Sequence, residues 1–417
     1  MIRTNRFSAA VLGLVLVAAA CNNDQLNRPF ANVPVDPLFE RYVAMGNSIT
    51  AGFQSGGILD STQLQAYPVL LARGMRSPFF PPLLNRPGCP PPYTNVFTQT
   101  RLTPPLYPPS TATSCYLRKI PNPAPPYISN TAVPGAEVID IYNNFDPSSN
   151  ANSLTQFILG GLTQVQMVER AHPTFVSIWI GNNDVLGAAT SSTNAGDSTK
   201  ITSIVNFQTR YGAMLDSVES IGPQGGILIG VANVTAIPYF SAGATYWAIK
   251  NHLAPPDSFP TLFTVSNNCA PIATGIPGAR GDSVLVPFPY GAALLGAAQL
   301  GAPRNLDCAD TVAAVVVPAE LVKLVTAVTA YNTYISGQAT ARGWAYLNPN
   351  TTLDSLRAVP TAVRPFPALL QPCSVNPFGT AFSCDAVHPS ASTHRLIAQK
   401  LRLAINAVYT TAIPPIP

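Results

Sequence analysis

Four short segments of the chain carry residues whose types and spacing suit chemistry at a carbonyl group. Gly46-Asn47-Ser48-Ile49-Thr50-Ala51-Gly52 follows a short apolar run, so Ser48 stands at the carboxyl end of a candidate strand, where open α/β sheets place their ligands. The flanking glycines permit a tight turn with close backbone approach, although a helix N-cap uses the same residue types. Far downstream, Asp385-Ala386-Val387-His388-Pro389 sets a carboxylate three residues before a histidine. Such a carboxylate can fold back to accept a hydrogen bond from Nδ1–H, which fixes the imidazole tautomer and leaves Nε2 as a general base. Between these segments, the stretch from Asn130 to Ala136 contains Gly135, whose backbone N–H could meet a developing oxyanion; a plain turn fits the same residues. The run from Phe175 to Ile180 passes abruptly into Gly181-Asn182-Asn183-Asp184 and so delivers three polar side chains at a strand's edge.

The elements that must position these residues are legible as an alternation. Apolar runs at Tyr42 to Met45, Phe175 to Ile180, Ile227 to Val231 and Trp344 to Leu347 read as strands, with amphipathic stretches between them. Ile204, Phe207, Tyr211, Met214, Leu215 and Val218 recur at helical spacing and stop at Gly222-Pro223. A second helix is predicted from about Pro318 to Gly343 and a third from about Ser392 to Val408, their stripes facing the core. This is the pattern of a three-layer α/β/α sandwich around a parallel sheet, expected over residues 37–417. Two segments interrupt it, one at 77–128 with fifteen prolines and one at 238–317. Each is too long for a plain connection and is expected to be an ordered insertion held by a disulfide.

Composition narrows the function classes. The 417 residues are 47% hydrophobic but only 10% charged, with 43 prolines, so the surface is built from uncharged polar side chains and rigid loops. A net charge of +4 spread over this length is too weak for a nucleic-acid footprint. Residues 1–20 read as a signal peptide whose apolar run is too short to span a bilayer. Ala18-Ala19-Ala20-Cys21 resembles a bacterial lipobox, which implies lipidation of Cys21, a tether over residues 21–36 and anchoring to a cell-envelope membrane. Asn22 in place of Asp points to the outer membrane. Six further cysteines in an exported chain argue for three disulfides, with neighbours expected to pair: Cys89 with Cys115, Cys269 with Cys308, and Cys373 with Cys384. No C-x-x-C spacing supports a metal site.

In order, Gly46-Asn47-Ser48, Gly135, Gly181-x-Asn183-Asp184 and Asp385-x-x-His388 resemble the four sequence blocks of the GDSL/SGNH hydrolases, a superfamily of serine esterases and lipases with a flavodoxin-like fold. Gln63-Leu64-x-Ala66-Tyr67-Pro68 and the stretch from Trp179 to Val185 look like its bacterial lipoprotein members. The resemblance implies that Ser48 is the nucleophile, His388 the base and Asp385 its orienter. It places Gly135 and Asn183 with the Ser48 N–H in an oxyanion hole. No metal or organic cofactor is implied, and the substrate is an ester whose acyl and alcohol parts are not named. An acyltransferase with the same triad, or a catalytically inactive glycan- or lipid-binding lipoprotein, would share these blocks. Asn47 departs from the Asp usual in the family, with an expected effect on loop support. His172, His252 and His394 lack a carboxylate spaced as Asp385 is from His388 and are expected to have no direct role. The proline-rich insertion joins the Ser48 and Gly135 blocks and is expected to form a wall of the substrate cleft.

Overall fold

The computed structural model describes residues 33–103, 118–119, 121, 123–255, 259–367 and 371–416. The leader, Cys21, most of the tether and Cys115 lie outside the described residues. Strands β1 (Tyr42–Gly46), β2 (Phe175–Trp179), β3 (Gly225–Ile229) and β4 (Ala345–Leu347) form one sheet in the order β1-β2-β3-β4. All three pairings are parallel, with Gly46 beside Trp179 and Trp179 beside Ile229. The sheet therefore ends in a common carboxyl edge. Ser129 to Thr131 extends it beyond β1 through Ala44 N–H to Ser129 O at 2.8 Å and Thr131 N–H to Ala44 O at 2.9 Å.

Every residue of β1, β2 and β3 is buried, which is why these strands read as continuous apolar runs rather than as alternation with polar residues. Their period of two instead divides the side chains between two cores. Val43, Met45, Val176, Ile178 and Leu228 face a core completed by α3 (Gln164–Ala171), α5 (Ile204–Ile221) and α6 (Pro318–Ala341). Tyr42, Ala44, Phe175, Trp179 and Ile229 face a core shared with α2 (Tyr67–Met75) and α8 (Ala391–Tyr409). The expected three-layer α/β/α architecture is thus present. The third strand starts earlier than the apolar run because Gly225 and Gly226, which have no side chain to register as apolar, pair with Phe175 and Val176. Helix α5 begins at the cap Ser203, whose Oγ accepts from Asn206 N–H at 3.2 Å, and ends at Gly222 as its pattern predicts.

The insertion at 238–317 is ordered around two small sheets, Phe240–Ala242 with Leu285–Pro287 and Phe263–Val265 with Arg304–Leu306. The Cys269–Cys308 disulfide closes it, and a Cys373–Cys384 disulfide lies just before the Asp385-x-x-His388 segment. Cys89 is buried and disulfide-bonded, with its expected partner Cys115 outside the described residues. No described helix is long and apolar enough to cross a membrane.

Candidate active site

Strand β1 delivers Gly46 with φ at +152°, where a Cβ would meet Trp179 O at 2.3 Å, so no other residue fits at this turn. The Gln164 side chain from α3 grips both polar groups of Gly46, accepting from its N–H at 2.9 Å and donating to its carbonyl at 2.8 Å. Asn47 then caps a single helical turn, α1 (Ser48–Ala51), its Oδ1 accepting from Ile49 N–H at 3.1 Å. Its Nδ2 donates to Asn182 Oδ1 at 3.3 Å. That second bond gives the Asn at this position a physical role: it couples the Ser48 turn to the segment after β2 with a donor that a carboxylate lacks. Ser48 is consequently both a strand-end residue and the first residue of a capped turn, so the two readings of the segment coincide.

The segment Phe382 to Ser390 brings the other groups to Ser48. Phe382 and Pro389 bridge, Ser383 N–H donates to His388 O at 2.8 Å, and Ala386 takes a positive φ of 63°, which folds the loop back on itself. Asp385 Oδ2 is thereby 2.9 Å from His388 Nδ1, and His388 Nε2 is 2.9 Å from Ser48 Oγ. Asp385 is fixed from all sides: Oδ1 accepts from the Val387 and His388 N–H groups and from Ser383 Oγ, and Oδ2 accepts from Gly56 N–H at 2.6 Å. Burial alone would raise its pKa, but His388 and these donors bring it down to about 2, so the carboxylate is ionised beside the imidazole. The Phe53 ring covers His388 at 4.8 Å between centroids.

Gly135 has φ at +86°, and its carbonyl and that of Pro134 are held by the Asn150 and Asn152 amides at 2.8 and 3.0 Å. Asn183 opens the short helix α4 (Asn183–Ala189), and its Nδ2 donates to Ala136 O at 2.8 Å, tying it to the Gly135 turn. The backbone N–H groups of Ser48 and Gly135 have no acceptor among the described residues. Two backbone donors and the second hydrogen of the Asn183 amide are therefore left on the segments around the Ser48 hydroxyl. Asp184 points instead into the core, accepting from Val138 N–H at 3.1 Å.

Sequence reasoning missed several supports. Arg101, in the proline-rich insertion, donates to Gly56 O at 2.8 Å and Pro91 O at 2.6 Å and lies 3.8 Å over the Tyr93 ring. Gly56 is the residue whose N–H binds Asp385, so Arg101 links the insertion to the turn that holds this carboxylate. Phe97 from the same insertion packs against Phe288, Phe366 and Phe378. His394 is fully buried with Nδ1 accepting from Tyr67 N–H at 3.3 Å, and burial with His388 nearby lowers its pKa to about 3, which keeps it neutral. His172 and His252 are exposed at turns of positive φ. No group of His, Cys, Asp or Glu among the described residues is arranged to hold a metal ion.

No protein-family model matches the chain, and no curated protein matches it. Among solved structures, an acetyl-xylooligosaccharide esterase variant from Geobacillus stearothermophilus aligns at 11% identity over 88% of this chain and 94% of its own, with a TM-score of 0.37. An acetylxylan esterase catalytic mutant from the same organism aligns at 12% identity over the same shares, with a TM-score of 0.36.

Proposed function

We propose that the chain is a serine carboxylic-ester hydrolase of the GDSL/SGNH type. The observation that carries this reading is the unbroken hydrogen-bond chain from Asp385 through His388 to Ser48 Oγ, with both links at 2.9 Å and the acid ionised. In the proposed cycle Ser48 Oγ attacks the ester carbonyl carbon while His388 Nε2 takes its proton. Negative charge on the carbonyl oxygen is met by the Ser48 and Gly135 N–H groups and the Asn183 amide. The tetrahedral species collapses, the C–O bond to the alcohol breaks, and His388 returns the proton to the leaving oxygen. Water, deprotonated by His388, then attacks the acyl-Ser48 ester and frees the acid and the hydroxyl. Asp385 holds the tautomer throughout and stabilises the imidazolium.

A panel of nitrophenyl esters from acetyl to dodecanoyl, assayed with the parent protein and Ser48→Ala, tests this. The proposal requires hydrolysis of at least one ester by the parent and its loss in the variant. Hydrolysis that survives in Ser48→Ala, or none by the folded parent, contradicts it.

A further inference from the structure

Gln164, the first residue of α3, is 1% exposed, and both polar atoms of its side chain bond a single residue, Gly46, two positions before Ser48. Its backbone is fixed by a capping box: Thr163 Oγ1 accepts from Gln166 N–H at 3.2 Å and Gln166 Oε1 accepts from Thr163 N–H at 2.9 Å. The amide is therefore presented from a rigid helix start.

What the amide replaces is a rung of the sheet. The segment from Ser129 runs parallel to β1, with Ala44 facing Asn130, Ala44 N–H donating to Ser129 O and Thr131 N–H to Ala44 O. Two residues on, the same alternation calls for Val133 N–H to Gly46 O, which is present at 3.2 Å, and Gly46 N–H to Thr131 O, which is absent among the described residues. Gly46 N–H donates to Gln164 Oε1 instead. Gly46 O takes a second donor, Gln164 Nε2 at 2.8 Å, beside Val133 N–H. An amide side chain accepts from N–H and donates to C=O as a strand edge does, so Gln164 stands in for the missing rung at the point where the segment parts from β1.

That point lies midway between the two backbone donors of the candidate oxyanion hole: Ser48 is two residues beyond Gly46, and Gly135 is two beyond Val133. We propose that Gln164 is a positioning residue for the reaction, setting the gap between the Ser48 and Gly135 N–H groups by fixing the Gly46–Val133 rung from outside the sheet. The proposal rests on the ester-hydrolase reading. Donors serve a developing oxyanion only at about 2.7–3.1 Å, so a small change in that gap weakens one of the bonds. Without Gln164 the Gly46 N–H is left unpaired or closes on Thr131, and either outcome moves Val133 against Gly46.

Two substitutions and two measurements on the full chain test this. Gln164→Met keeps the length of the side chain and removes both bonds; on an ester that the parent hydrolyses, kcat should fall at least about tenfold with KM within about threefold. Gln164→Glu supplies the acceptor at every pH but the donor only while the introduced carboxyl is neutral. Burial, and Asp140 across the same small hollow, raise a carboxyl at this position above its ordinary range. The ratio of the Gln164→Glu kcat to the parent's should therefore be near one at about pH 6 and fall about tenfold by about pH 9. Titrations that the parent shares, those of Glu137, Asp140 and Asp184 included, cancel in the ratio. Hydrogen exchange read by mass spectrometry is the second measurement: at equal pH, Gln164→Met should exchange faster than the parent in peptides covering Ala44 to Ser48 and Thr131 to Gly135, with β2 and β3 still protected. A folded Gln164→Met protein with kcat within about threefold of the parent overturns the proposal. So does a Gln164→Glu ratio that is flat with pH, or unchanged exchange from Thr131 to Gly135. Should Gln164→Met not fold, the Gln164→Glu profile decides alone. A folded parent that hydrolyses no ester defeats the hydrolase reading and this proposal together, whereas an active parent with any of the overturning results defeats this proposal only.

Discussion

At the scale of single residues, the account rests on His388 being held between an ionised carboxylate and a hydroxyl. The two links are equal in length, and the five-fold restraint of Asp385 by Gly56, Ser383, Val387 and the His388 backbone and ring leaves the imidazole little freedom to turn. Members of the proposed triad would act as a unit, so His388→Asn should reduce kcat by about a thousandfold or more, close to the loss in Ser48→Ala, with a smaller change in KM. Steady-state kinetics on both variants checks this; a His388→Asn enzyme within tenfold of the parent would remove His388 from the mechanism. The residues of this scale were the most legible ones. Asp-x-x-His puts donor and acceptor within reach along the chain itself, and the strand-to-glycine transition marks where Ser48 must emerge. Asn47 was legible as a departure but not in its effect, because its partner Asn182 is distant in sequence and meets it only once β1 and β2 pair.

Elements divide into those whose pattern survives in one dimension and those that form only against neighbours. Helices α5, α6 and α8 carry a buried stripe and an exposed face and are readable by period. Helix α2 has eight of its nine residues buried, so it has no polar face to reveal a period, and α7 (Pro349–Arg357) buries only Pro349 and Leu353 fully and blends with the polar loops. The described part of the proline-rich insertion braces the Ser55–Gly56 turn through Arg101, a pairing across 45 residues that no local pattern encodes. Arg101→Gln is expected to lower kcat about tenfold with KM less affected, through a looser Gly56 to Asp385 bond, and Arg101→Lys to recover part of it. Equal losses in kcat and stability with no recovery by Lys would make Arg101 merely structural. The turn after Gly135 carries a second hidden feature. Glu137, Asp140 and Asp184 converge beneath it, and burial, together with the Asp184 and Asp140 charges, pushes Glu137 up to about 8, while burial raises Asp184 to about 6. Both folded-state values lie above the unfolded ones, so the unfolded chain releases these protons first and stability falls as pH rises toward each value. Between about pH 6 and about pH 8 only Glu137 is still titrating of the two. Melting temperatures across that window should fall more steeply for the parent than for Glu137→Gln, and identical slopes would show that Glu137 is ionised throughout.

For the whole molecule, one parallel sheet with a core on each face brings all four segments to its carboxyl edge, and this is why their order along the chain can be read as a site. The architecture was legible because buried parallel strands leave apolar runs; the bracing between insertions and site was not, because it depends on long-range loop contacts. Lipidation at Cys21 and anchoring to an envelope membrane remain our proposal for the chain's location. Mass spectrometry of the mature N-terminus should find Cys21 first and carrying lipid, and an unmodified Cys21 would refute it. The central claim, that Ser48 is a nucleophile activated by His388 and Asp385, is tested most directly by labelling the native protein with a fluorophosphonate and locating the adduct by tandem mass spectrometry. The account predicts a single adduct on Ser48, lost in Ser48→Ala and strongly slowed in His388→Asn. An adduct on another residue, or none on a preparation that hydrolyses esters, would contradict it.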